Sequence, residues 1–272
     1  MTSLDQFRNF ERDGWNSAAR QWHELWGPLS RQSTEPLLDA AGVKSGHHVL
    51  DLAAGPGYAA AAAITRGATS IGVDIAAAQV ELARALHPGP TFQEGSAEAL
   101  DFPDCTFDAI VMAFGMNHMA EPEKCLAECH RVLKPGGRFA FTVWTAPPEN
   151  QAFDIIISAI NAHGSIPAEK YPGPPYFFYA DPQNAESAFS ASGYMNFSSE
   201  IVPQMWHHQI TSDLYDSFER GAVRATALLS CQSPDALNRI KSASSEAVEK
   251  LRKNGEICIS APAALMSAQK PA

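Results

Sequence analysis

The chain has 272 residues, 45% of them hydrophobic, enough to bury one sizeable core without help. Its formal charge of −10, with no Lys/Arg stripe interleaved with aromatics, opposes the basic footprint that a phosphate-rich partner requires, so nucleic acid is not expected as a partner. The acidic N-terminus (Asp5, Glu11, Asp13) lacks the features of a signal peptide, no apolar run approaches bilayer length, and five scattered cysteines read as reduced thiols; a cytoplasmic protein without membrane insertion is expected.

In chain order, residues 13 to 38 read as a helical stretch carrying Trp15, Trp22 and Trp26, three of the five tryptophans. Their spacing fits an apolar helix face, and residues 1–42 are expected to form a helical lid. Short β-type runs then alternate with helical patterns. The runs are 48–52, 70–74, 91–94, 107–113 and 138–144; helices are expected over 59–65, 79–86 and 122–133. Leu126, Cys129, Val132 and Leu133 give the last of these an apolar face, and Lys134-Pro135-Gly136-Gly137 stops it.

Alternation of this kind predicts an α/β fold: a Rossmann-like, doubly wound, mostly parallel sheet with helical cap elements. The expected core spans residues 43–145. A proline-rich aromatic loop, Pro172 to Tyr179, opens a cap region within 146–256, with a helix over 181–192, a strand over 197–206 and two or three helices over 212–252. A closing strand is expected over 257–268, within a terminal segment 257–272, all in one domain.

The segment Val49-Leu50-Asp51-Leu52-Ala53-Ala54-Gly55-Pro56-Gly57 is an apolar strand entering a glycine turn, followed by a helix start with unpaired N–H groups. Asp74 ends the next strand, where a carboxylate can accept ribose hydroxyls. Gly55 to Ala60 also fits a relaxed dinucleotide fingerprint, so an NAD-dependent dehydrogenase is a competing reading. Asp51 opposes it, because a negative charge there suits a cationic amino-acid group better than a pyrophosphate. Gly95-Ser96-Ala97-Glu98 then follows strand three, and Phe107 to Val111 and Val132 to Arg138 supply strand four and the turn into strand five.

With these five ordered motifs the sequence resembles the class I S-adenosylmethionine (SAM)-dependent methyltransferases, especially the ubiquinone and menaquinone biosynthesis branch, most clearly over Val43 to Trp144. The resemblance implies SAM as cofactor. It places Asp51, Ala53, Gly55 and Gly57 around the methionine part, Asp74 at the ribose, Ile75 beside the adenine, and Ser96, Ala97 and Glu98 at the adenine end. Ser96 departs from the commoner Asp at its position. Phe114 joins the cofactor set from the loop after strand four.

SAM carries an electrophilic methyl group, so the protein must chiefly align a nucleophile. His118, in Phe114-Gly115-Met116-Asn117-His118-Met119, is the candidate base for an acceptor that must lose a proton. The candidate acceptor contacts are Trp22, Trp26, Tyr176, Phe178 and Trp206, and the expected acceptor is a small apolar or aromatic molecule. A SAM-binding cyclase or another non-methylating catalyst is the alternative. His207-His208 and Cys125/Cys129/His130 lack compelling ligand spacing, so no metal is expected.

Overall fold

The computed structural model describes residues 2–166 and 173–272, so Pro172 of the aromatic loop lies outside the described residues. Helix α1 (Ser3–Gln21) starts at Thr2, whose hydroxyl accepts the Asp5 N–H while the Asp5 carboxylate accepts the Thr2 N–H. It begins well before Asp13. Its early turns bury only Phe7 and Glu11, and a glutamate reads from sequence as a solvent residue. The helix widens into a π-turn, Trp22–Trp26, closed by the Gly27 N–H on the Trp22 carbonyl. Two short helices follow, α2 (Gly27–Ser30) and α3 (Thr34–Ala40).

The core alternates as its sequence pattern requires: β1 (His48–Leu52), α4 (Tyr58–Thr65), β2 (Thr69–Asp74), α5 (Ala77–Leu86), β3 (Thr91–Glu94), β4 (Phe107–Ala113), α6 (Pro122–Val132), β5 (Leu133–Trp144). Strand β5 already starts at Leu133. Leu133 pairs with Phe107 and Arg138 with Ala109, so the Pro-Gly-Gly segment, with Gly136 at φ +79°, is an irregularity within the strand and not a turn before it.

The cap then adds α7 (Gln151–His163), α8 (Pro182–Ala191), β6 (Met195–Val202), β7 (Met205–His208), α9 (Asp213–Gly221), α10 (Val223–Leu229) and α11 (Pro234–Glu249), and the chain closes with β8 (Ile257–Ser260) and β9 (Ala263–Gln269). The two long strands expected over 197–206 and 257–268 are each divided in two. Strands β6 and β9 lie in the main sheet, while β7 and β8 pair antiparallel in a small sheet of their own. Pro203 and Pro262 stand at the breaks, where each removes an N–H from the ladder.

The main sheet runs β3-β2-β1-β4-β5-β9-β6, parallel through β5, with β9 antiparallel to both neighbours. Val49, Ala109 and Val111 pack toward one hydrophobic layer and Leu50, Leu52, Ile110 and Met112 toward the other, the period-two alternation of strands covered on both faces. The chain winds outward from β1 to β3, then returns to β4 on the other side of β1. A crevice therefore opens at the carboxyl ends of β1 and β4.

Candidate active site

The first cleft occupies that crevice, with a volume of about 730 Å³. Ala53 (φ +49°) and Phe114 (φ +57°), non-glycine residues in left-handed backbone, border it just beyond β1 and β4. Each such backbone costs on the order of 1 kcal/mol and marks a site where geometry is imposed. Gly55 also lines the cleft, and a Cβ there would meet no protein atom closer than 3.9 Å, so it would project into space left for a ligand.

Asp74, Ile75, Ser96, Ala97 and Glu98 border the same cleft. Asp74 accepts N–H bonds from Gly55 (2.8 Å) and Ala76 (2.9 Å), tying the glycine loop to the end of β2, and burial pushes its carboxyl up to about 6. Ser96 Oγ accepts the Glu98 N–H. Glu98 is engaged within the protein: Oε1 accepts the Glu121 N–H at 2.7 Å and Oε2 accepts Arg8 Nε at 2.8 Å. It braces α1 to the cleft rim while still bordering the cleft.

Asp51 and Gly57 do not line the cleft. Asp51 is 1% exposed, and its Oδ2 accepts the Ala60 N–H at 2.9 Å, pinning the first turn of α4. Burial foremost, with Asp74 nearby, pushes its carboxyl up to about 8. The structure thus places the Asp51 carboxyl behind the loop it holds rather than in the cleft wall. Gly57 (φ +81°) starts α4, and a Cβ there would lie 2.5 Å from the Phe92 ring. Both residues shape the ligand loop from behind.

Two further acceptors face no donor. Gln79 Oε1 and Glu11 Oε1 are buried without hydrogen-bond partners among the described residues, and both residues line the first cleft. Buried acceptors of this kind call for a ligand rich in O–H and N–H donors.

A second cleft, about 1390 Å³, opens beside the first, and Trp15, Trp22 and His118 border both. Its walls include Trp26, Phe153, Ile156, Tyr176, Phe177 and Phe218. Trp22 and Trp26 stack within the π-turn, ring centroids 5.3 Å apart and 13° from parallel. Phe178 lines neither cleft: it is 39% exposed, and Phe177 takes the inward position in the aromatic loop. Trp206 is also absent from both walls, being 2% exposed and packed on Trp26 at 4.5 Å. The structure therefore brings neither ring to a cleft wall: Phe178 is a surface ring and Trp206 part of the core.

His118 sits at the end of a short 3-10 turn after β4. Its Nδ1 lies 2.9 Å from Glu11 Oε2, and its Nε2 lies 3.2 Å from Asn117 Nδ2. A carboxylate only accepts, so Nδ1–H donates to Glu11 and Nε2 keeps the basic lone pair, which accepts from Asn117. Trp15 and Tyr176 flank the ring edge-on, at 5.1 and 5.9 Å. Sequence reading missed Glu11, although Phe7, Glu11 and Trp15 at helical spacing put a carboxylate in the middle of an apolar face.

Elsewhere, Cys125 and Cys129 lie on the buried face of α6, and the described residues include no group of three or more His, Cys, Asp or Glu able to hold a metal. Among the described residues no helix is long and apolar enough to cross a membrane.

A parallel sheet reversing between β1 and β4, with a glycine loop and a strand-end carboxylate over the crevice, is the architecture of the class I methyltransferase type of α/β protein. Residues 50–141 match the methyltransferase domain family model. The chain is 32% identical over 143 residues to demethylmenaquinone methyltransferase of Clavibacter sepedonicus, covering 50% of this chain and 56% of that protein. It is 28% identical over 203 residues to the ubiquinone/menaquinone biosynthesis C-methyltransferase of Hahella chejuensis, covering 66% and 79%. The crystal structure of the YcgJ protein from Bacillus subtilis superposes with a TM-score of 0.57 at 25% identity, covering 88% of this chain and 98% of that one. The chain is thus similar to SAM-dependent methyltransferases across its sheet core, and spans about half the length of the first curated relatives it matches.

Proposed function

We propose that this protein transfers a methyl group from SAM to an apolar or aromatic small molecule. The observation that carries the reading is His118, shared by two clefts of opposite character: one rimmed by unpartnered acceptors, the other walled by aromatic and aliphatic side chains. SAM bound in the first cleft would supply an electrophilic methyl group. Asp74 and Gln79, both in the cleft wall, would accept its hydroxyls, Gly55 would admit it closely, and Glu11 Oε1 would accept from an ammonium or hydroxyl.

On the acceptor side, Trp15 and Trp22 exclude water at the junction, and His118 Nε2 takes the proton of an entering O–H, N–H or acidic C–H group in exchange for its bond to Asn117. Glu11 holds the imidazole in the tautomer that leaves this nitrogen basic. The relatives' names make a quinone one acceptor to try first, as a member of the apolar aromatic class.

Incubation with methyl-labelled SAM and a panel of apolar aromatic acceptors tests the reading. Label is expected in a product heavier by one methyl group. His118→Ala is expected to lower kcat by about 10²- to 10⁴-fold with SAM affinity preserved. Turnover without label would point to a non-methylating catalyst, and unchanged turnover at saturating acceptor would remove His118 from the chemistry.

A further inference from the structure

Arg224, on α10, is the one arginine or lysine in the described wall of the second cleft, and no aspartate or glutamate shares that wall. Among the described residues its hydrogen-bond partners are backbone carbonyls alone: NH1 donates to Asn117 O at 3.1 Å and to Pro174 O at 3.3 Å, and NH2 donates to Pro174 O at 3.4 Å. The guanidinium lies over the rings of Tyr176 and Phe7, at 5.2 and 5.7 Å. These contacts fix its position, and among the described residues no carboxylate pairs with the guanidinium in this largely apolar surround, where an unpaired charge is costly. Asn117, one of its anchors, immediately precedes His118, so the cation is fastened to the turn that carries the base.

We infer that Arg224 is a carboxylate subsite: the acceptor is an apolar aromatic molecule that carries a carboxylate apart from the atom to be methylated. A guanidinium recognises a carboxylate with two parallel N–H bonds and sets its plane, which would orient the rest of the ring system toward His118. A phosphate fits less well, because one guanidinium among aromatic rings cannot offset the desolvation of two charges. The inference rests on the second cleft being the acceptor site.

Titration of the full-length protein with three probes, read by quenching of the cleft tryptophans, tests it without any methyl transfer. The probes are 2-naphthoate, 2-naphthamide and 1,4-naphthoquinone. The naphthoate is expected to bind about tenfold or more tighter than either neutral probe. Arg224→Met is expected to bring naphthoate down to the naphthamide level while leaving naphthamide within about twofold, with Arg224→Lys intermediate. Equal binding of acid and amide by the wild-type protein overturns the subsite, as does quinone binding that matches the naphthoate. So does discrimination that survives in Arg224→Met. The wild-type comparison needs no variant to fold. Acid-selective binding in a protein that transfers no methyl group leaves the subsite and contradicts the methyltransferase reading; methyl transfer indifferent to a carboxylate does the reverse.

Discussion

Glu11 is 2% exposed on a helix whose solvent side is otherwise charged, and one of its oxygens holds His118 while the other has no partner. Among the described residues that oxygen has no partner, and it borders the first cleft, where a donor on a bound ligand would satisfy it. Glu11→Gln is expected to lower kcat by about tenfold or more and to raise KM for SAM as well, and Glu11→Asp to recover part of the loss in kcat. Steady-state kinetics on the three proteins checks this. Phe177→Ala is expected to raise acceptor KM and Phe178→Ala to leave it unchanged, since only Phe177 lines the cleft.

Asp51 and Asp74 both weaken the fold as pH rises. Burial lifts both carboxyls above their ordinary value of 3.8, to about 8 and about 6, so the native state holds their protons more tightly than the unfolded chain. Their favourable contribution is complete below about 4 and is lost as pH climbs to about 8. Asp51→Asn is expected to reduce the loss of stability between pH 5 and pH 8, by an amount on the order of a few kcal/mol, measured as urea midpoints at the two pH values. Asp74 was legible in the sequence because a strand-end acid after a glycine loop has a recognisable place. The burial of Asp51 was not, because sequence does not say whether a side chain on the last turns of a strand faces the ligand or the next helix.

At the scale of elements, the glycine loop works through α4. Gly57 supplies both the left-handed start of the helix and the room for Phe92, and Asp51 ties down the same turn. Gly57→Ala is expected to destabilise by about 2–4 kcal/mol through overlap with Phe92 and backbone strain, seen in thermal and urea unfolding. Gly55→Ala has no protein atom to displace but sits at φ +53°, so it is expected to cost about 1 kcal/mol of backbone strain and, beyond that, to act on cofactor affinity. The alternation from β1 to β5 was legible because buried parallel strands and amphipathic crossovers leave clean periodicities. The cap was less so: single apolar runs hide the hand-over from one sheet to another at Pro203 and Pro262, and the inward ring of the Tyr176-Phe177-Phe178 run depends on loop backbone that periodicity does not encode.

At the scale of the molecule, α1 crosses the open edge of the sheet and is fastened at separate points. Arg8 bridges Glu98 and Glu121, Glu11 holds His118, and Asn16 Oδ1 accepts the Ala78 N–H at the start of α5. The N-terminal helix thereby completes both clefts, supplying Trp15 to their shared wall. We propose that it acts as the lid over the cofactor, a role that would place SAM between the sheet edge and α1. Equilibrium binding of SAM to the apo protein tests this placement independently of the acceptor. Saturable one-to-one binding is expected, weakened about tenfold or more in Asp74→Ala, which removes the acceptor for the ribose. No binding by the wild-type protein, or equal affinity in Asp74→Ala, would contradict the account.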